Sequence, residues 1–365
     1  MRELRDILDA FQSLRESGEA GVLASAVRTE GSTYRRSGAR MLALPDDRMI
    51  GLISGGCLEG DLLEHARSVR ESGEPRIVRY DMRPEEDIIW GLGLGCAGAV
   101  DVLLERVDAE APGPLDLLAE CFRERKPGVI ATALAGKAPL ATRWTLHPDG
   151  RFSGPAAGAP PIERAARHAA ERERDALLAD EAGEILIEVV RPPPRLLVFG
   201  AGPDAVPVVR IAHELGWEVV VVDWRPAYAR PDSFREASAV VLCEAEQVGE
   251  QVDVDETSAA LVMTHHYLHD RSLLRFLLPS AVRFIGMLGP RKRMESLLGD
   301  LREEGLSLTR EQLERVHGPA GLDIGAESPE QIALALVAEI HAVLAGRSGG
   351  WLCKREGPIH DDPGA

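Results

Sequence analysis

"RLLVFGAGPDAVPVVRIAHELGW", residues 195–217, decides the fold. A dinucleotide loop must leave a buried parallel strand, turn tightly, and open a helix whose N-terminal amides meet phosphate. Leu196–Phe199 supplies the apolar strand, Gly200 and Gly202 the turn, and a helix is predicted as far as about Leu215. Ala205 stands where a third glycine is usual and still permits close helix–strand packing. "EVVVVDW" follows as a second strand ending at Asp223, where an acidic side chain accepts hydrogen bonds from a ribose.

A letter-perfect G-x-G-x-x-G also occurs at 93–98, inside "GLGLGCAG". Acidic "RPEEDIIW" precedes it and the strand "AVDVLLERV" follows it with no helix, so context rejects it as a phosphate loop. Outward from the accepted loop, strands at 195–199, 219–223, 239–243, 259–263 and 282–288 alternate with helices. That pattern predicts a Rossmann-like, doubly wound parallel sheet over 195–345, with a polar tail at 346–365. In the usual order the first and fourth strands are neighbours, and the ligand crevice opens between their carboxyl ends. The fourth strand leads into "THHYLHD" (264–270), which brings His265 and His266 to face the glycine loop. Three readings of this run stay open: contact with a cofactor or substrate, a metal site, or local hydrogen bonding with Asp270 capping the next helix.

The run "RPPPR" at 191–195 reads as a short, stiff connection. Upstream, 1–191 reads as an α+β domain with an internal duplication, in units 1–108 and 112–191. The first unit orders a helix near 4–17, a strand 21–27, a strand and turn 39–51, a helix 58–72 and a strand 99–107. The second repeats this with a helix 115–125, a strand 128–134, a strand and turn 141–154, a helix 162–180 and a strand 184–191. Only the first carries chemistry, in "EGSTYRRSG", "ISGGCLEGD" and "WGLGLGCAG", so the site is expected there and the second copy is expected to be scaffold.

Gly55 and Gly56 set Cys57 at a helix N-terminus, where backbone amides favour an anionic sulfur. Glycines around Cys96 leave room for a ligand to come close. The alternative for each cysteine is a small residue in a packing turn. Arg35, Arg36 and Arg40 could receive a phosphate or form a solvated face.

The composition bounds the partners. A formal net charge of −17 over 365 residues disfavours nucleic acid and anionic membrane surfaces, and 4% aromatic content disfavours base-stacking platforms. Five widely spaced cysteines form neither a disulfide framework nor a zinc ribbon. The opening "MRELRDILDAFQSLRESGE" reads as an amphipathic helix rather than a signal peptide, so a cytoplasmic chain is expected.

"GSTYRRSGARML", "ISGGCLEGDLLEHA" and "WGLGLGCAGAVDVLLE" resemble the N-terminal domain of the xanthine dehydrogenase accessory proteins, the XdhC/CoxI family. "LLVFGAGPDA", "VMTHHYLHD", "FIGMLGPRKR" and "GLDIGAESPEQIALALVAEIHAV" are similar to that family's C-terminal Rossmann domain. Tyr34, Ala97 and Pro290 depart from its usual residues, which are proline, glycine and serine. The resemblance implies a chaperone or maturation factor rather than an enzyme. Such a protein binds the molybdenum–molybdopterin cofactor as cargo and delivers it to an apo molybdenum hydroxylase of the xanthine dehydrogenase type. It implies Cys57 and Cys96 as the motif cysteines, contacting the metal through the bound cofactor, and Glu59 as their acidic partner. A cysteine desulfurase is a further implied partner, and a homodimer is the commonest default. The alternative is an NAD(P)-dependent oxidoreductase, with NAD(P) or another nucleotide in the crevice and His265 or His266 as acid–base group.

Overall fold

The computed structural model describes residues 1–31, 33–83, 98–108, 113–156, 158–181 and 183–356. The chain forms two compact units, one built from Glu3–Pro192 and the other from Pro193 onward. Among the described residues no helix is long and apolar enough to cross a membrane.

The first unit holds two five-stranded antiparallel sheets. One contains β1 (Gly21–Gly31), β2 (Arg40–Ala43), β3 (Met49–Gly51), β4 (Arg76–Asp81) and β5 (Gly98–Val107), in the order β3-β2-β1-β5-β4. The other contains β6 (Gly128–Gly136), β7 (Arg143–Leu146), β8 (Phe152–Ser153), β9 (Ala176–Asp180) and β10 (Gly183–Val190), in the order β8-β7-β6-β10-β9. The two orders correspond strand for strand. Even the crowding matches. A Cβ on Gly21, which opens β1, would meet Leu14 and the Ala43 carbonyl, while one on Gly128, which opens β6, would meet Cys121 and the Leu146 carbonyl.

Side chains alternate across each strand, so each sheet has two buried faces. One face of the first sheet packs Val22, Ala24, Met41, Val102 and Leu104 under the helix Glu59–Ser72. The matching face of the second packs Val129, Ala131, Ala133 and Ile187 under the helix Ala159–Arg172. The remaining faces meet each other: Leu23, Leu42, Ile130 and Val190 share a core with the helices Arg2–Ser17 and Pro114–Glu124, and Val27, Leu103 and Leu134 form another.

That inner layer also encloses charge. Arg40 of β2 reaches Glu188 of β10 at 2.6 Å, and Arg143 of β7 reaches Glu105 of β5. Each pair joins a strand of one sheet to a strand of the other, in reciprocal sense. Each arginine leaves its Nε buried without a protein partner. The pairing consumes Arg40, one of the three arginines read as a phosphate receiver.

Two strands are additions to the elements expected from sequence. β4 is not among them at all, and the helix expected over 162–180 stops at Arg172, so that 176–180 is β9. Glu173 ends that helix in the left-handed region (φ 50°). Both are edge strands, half-exposed along most of their length, and show little alternation of apolar and polar residues.

The second unit is a six-stranded parallel sheet of β11 (Arg195–Phe199), β12 (Glu218–Asp223), β13 (Ala239–Leu242), β14 (Ser258–Val262), β15 (Phe284–Met287) and β16 (Val316–His317). The order is β13-β12-β11-β14-β15-β16, with every neighbouring pair parallel. Leu197, Phe199, Val220, Val222, Ala260 and Val262 face one core, and Leu196, Val198, Val219, Val221, Ala259 and Leu261 the other. Helices cover both faces, the architecture expected of near-continuous apolar strands. The sixth strand, two residues long, lies beyond the five that the sequence predicts.

The reciprocal ion pairs can be tested. Glu188→Ala strands a guanidinium that is only 5% exposed, which should cost about 3 kcal/mol. The double variant Arg40→Met/Glu188→Leu should recover most of that loss in thermal unfolding. Equal midpoints for wild type and Glu188→Ala would show that the pair contributes nothing.

Candidate functional site

Cys57 sits on the turn between β3 and the helix Glu59–Ser72, and its side chain is exposed. The turn is shaped by a buried carboxylate. Glu59, 5% exposed, accepts hydrogen bonds from the backbone amides of Ile53, Ser54 and Leu58 and from the Ser54 hydroxyl at 2.6 Å. The Ser54 hydroxyl in turn accepts from the amides of Cys57 and Leu58. Burial alone would raise the Glu59 pKa, but the bonds from Ser54 and Leu58 outweigh it and hold the group below the ordinary glutamate range. Gly56 lets the chain turn at φ 103°, a conformation that side-chain-bearing residues rarely adopt.

Beside the thiol lies a cavity of about 90 Å³, walled by Thr33, Tyr34, Arg35, Ile53, Ser54, Gly55, Leu58, Met82 and Val100. Tyr34 is 62% exposed and lies 3.8 Å from the position a Cβ on Gly55 would take. Arg35 lines the wall while paired with Glu3 at 2.7 Å; the other Glu3 oxygen accepts from the Leu52 amide. Arg36 is half-buried and is not among the residues lining the cavity. Cys96 lies outside the described residues. Met82 and Gly98, on either side of its segment, are joined by a backbone hydrogen bond of 2.9 Å, and Gly98 pairs with Gly31 at the end of β1.

Cys121 is buried, and burial pushes its thiol up to about 12; Cys243 is buried and raised for the same reason. Both are core residues. Among the described residues no group of three or more His, Cys, Asp or Glu is arranged to hold a metal ion.

In the parallel unit, Gly200 takes φ 114°, and a Cβ there would come within 2.5 Å of the Met263 carbonyl. Only glycine lets β11 turn this close to the end of β14. Gly202 precedes the helix Ala205–Glu214, and Ala205 is fully buried against the sheet. Asp204, at the start of that helix, meets His265 Nε2 at 3.0 Å. The expected approach of the histidine run to the glycine loop is made through this contact.

The cap expected of Asp270 is supplied by His266 instead. His266 caps the helix Tyr267–Leu277, its ring accepting from the His269 amide, whereas Asp270 lies within the first turn and is buried. Asp270 accepts from Thr264 and from Arg293 at 2.6 Å, tying the end of β14 to the helix Arg291–Glu303. Trp224 stacks on the His269 ring at 3.9 Å.

Asp223 stands at the end of β12 as expected, but it turns inward. It accepts from the Ala201 amide at 2.7 Å and from the backbone and guanidinium of Arg225. Burial acts to raise its pKa, and the Arg225 and Ala201 hydrogen bonds overcome that and lower it. Ser54, Asp204, Trp224 and Arg225, which contact Glu59, His265, His269 and Asp223, are not singled out by the sequence. Their only signal is proximity, with Ser54 before the glycine pair and Arg225 two residues past Asp223.

Comparison with known proteins adds a family. Residues 196–340 match the model of the XdhC Rossmann domain, and residues 14–81 that of the XdhC and CoxI family. A Bacillus subtilis protein named as a probable subunit of xanthine dehydrogenase is 35% identical across 93% of this chain and 97% of its own. The chain belongs to the XdhC and CoxI family. The molybdenum cofactor insertion chaperone PaoD of Escherichia coli is 25% identical over 90% of this chain and 84% of its own. A crystal structure described as a xanthine dehydrogenase from Bacillus halodurans superposes with a TM-score of 0.77 at 30% identity, covering 93% of this chain and 96% of that one.

The Glu59 network yields a two-part expectation. Glu59→Ala leaves buried amides unpaired, a loss of about 1–3 kcal/mol. Cys57 should then react faster with iodoacetamide as its turn loosens. Because the folded-state pKa is depressed, the contribution is complete above the ordinary glutamate range and disappears as pH falls through the depressed value. An unchanged melting midpoint and alkylation rate at neutral pH in Glu59→Ala would show that the carboxylate does not hold the turn.

Proposed function

We propose that this chain is a maturation factor for a molybdenum hydroxylase of the xanthine dehydrogenase type. It binds the molybdenum–molybdopterin cofactor as cargo and passes it to the apoenzyme. The observation carrying this reading is an exposed thiol, Cys57, held on a turn locked by buried Glu59 beside a cavity walled by Tyr34 and Arg35. A soft sulfur ligand suits molybdenum, and a cation suits the pterin's phosphate. Cys96 is the second sulfur, two residues before Gly98 at the head of β5. Glu59 acts indirectly, through the backbone it organises, because its oxygens are taken by Ile53, Ser54 and Leu58.

Relatives support the reading. PaoD is a molybdenum cofactor insertion chaperone by name and aligns along most of this chain. The parallel unit supplies a nucleotide crevice, for NAD(P) or for a nucleotide part of the cargo, at Gly200, Gly202 and Ala205. The working setting is the cytoplasm, with a cysteine desulfurase as sulfur donor for the cargo and a homodimer as the assembly.

An NAD(P)-dependent oxidoreductase remains the second reading, favoured by the His265–Asp204 contact at the mouth of the glycine loop. It would oxidise NADH with a carbonyl substrate at a rate lost in His265→Ala. The first reading predicts binding without turnover. Mixed anaerobically with released molybdenum cofactor and desalted, the protein should retain molybdenum and pterin in near-stoichiometric amount, and Cys57→Ala or Cys96→Ala should retain far less. Retention that is absent from wild type, or unaffected by both substitutions, would overturn the cargo site.

A further inference from the structure

The end of the second strand is where a dinucleotide fold sorts its ligands, because the side chain there meets the ribose nearest the base. An unphosphorylated ribose is recognised by a carboxylate that accepts from its 2′ hydroxyl. Asp223 has no capacity left for that task. A carboxylate offers about four lone-pair sites, two on each oxygen. Oδ1 already accepts from the Arg225 amide at 2.8 Å and Nε at 3.0 Å. Oδ2 accepts from the Ala201 amide at 2.7 Å and Arg225 Nη2 at 2.8 Å. The Asp223 side chain is also wholly buried. A ribose hydroxyl would find neither a lone pair nor a way in.

What the strand end presents outward is Arg225. Its side chain is 34% exposed, and Nη1 has no hydrogen-bond partner among the described residues. The guanidinium carbon lies 4.6 Å from the Trp224 ring centre and 4.0 Å from that of Tyr228. Clamped by Asp223 behind and by two rings beside it, the group has little rotamer freedom left to lose on binding. The Asp223 charge is enclosed and fully hydrogen-bonded, so what the pair presents to solvent is the guanidinium edge, with the Asp204 carboxylate the other charge that acts on it. A fixed guanidinium edge bordered by aromatic rings suits a phosphate attached next to a flat base.

We propose, building on the nucleotide reading of this crevice, that it selects an adenosine whose ribose bears a 2′ phosphate. NADP(H) is then preferred over NAD(H). Arg225 contacts the phosphate, and Asp223 is the positioning residue that fixes Arg225 while withholding the usual ribose acceptor. Coenzyme A carries related chemistry, an adenosine with a 3′ phosphate, and the titrations below separate the two.

Isothermal titration of the full chain with NADPH, NADH, 2′,5′-ADP, 3′,5′-ADP and 5′-ADP tests this. NADPH should bind at least about tenfold tighter than NADH, the size of a charged hydrogen bond gained or lost. The same margin should separate 2′,5′-ADP from 5′-ADP and from 3′,5′-ADP. Arg225→Gln should erase the preference, while Arg225→Lys keeps part of it. The wild-type ratios stand on their own should Arg225→Gln fail to fold. Equal affinity for NADPH and NADH would overturn the 2′-phosphate selection and leave the nucleotide crevice intact. Tighter binding of 3′,5′-ADP than of 2′,5′-ADP would overturn it in favour of the coenzyme A chemistry. Binding of none of the five would overturn the nucleotide reading and this selection together.

Discussion

Burying an arginine between two sheets is tolerable only if a carboxylate meets it there. The first unit meets that condition twice. Arg40 and Glu188 join β2 to β10, and Arg143 and Glu105 join β7 to β5. Each half contributes one acid and one base at matching strand positions, as the two sides of a self-complementary interface do. Apolar contacts repeat the arrangement, with Val27 and Leu103 of one half beside Leu134 of the other. With the inner faces committed to each other and the outer faces to helices, turns at the strand ends are left exposed. Cys57 stands on one of them.

The parallel unit is legible in the sequence because its inner strands β11, β12, β14 and β15 are buried on both faces and read as apolar runs, while the glycine loop fixes where the first one ends. The antiparallel unit is legible except at β4 and β9. β1, β5 and β6 are long and mostly buried and β10 pairs along the length of β6, whereas β4 and β9 sit at sheet edges and bury few side chains. No composition rule would break "AAERERDALLAD" at Glu173, since alanine, glutamate and arginine all favour helix.

The candidate site divides the same way. Gly55, Gly56 and Cys57 follow from local spacing, because a glycine pair before a helix has local consequences. Arg40 looks like part of a basic loop only because its partner lies in β10, far along the chain. Asp223 is located correctly by its motif, but the orientation of its carboxylate depends on Arg225 and on the Ala201 amide, neither of which the fingerprint includes. Motifs specify positions well and hydrogen-bond saturation poorly.

The reciprocal pairing also constrains how such a chain can drift over generations. An exposed loop can change at little cost. A charge at residue 105, 143, 40 or 188 cannot, since reversing one leaves its mate buried and alone. Substitutions there must arrive in couples that cross between the halves. Descendants of this sequence would therefore carry a record of the sheet-to-sheet contact in their correlated changes, legible even where the turn that bears Cys57 had been lost.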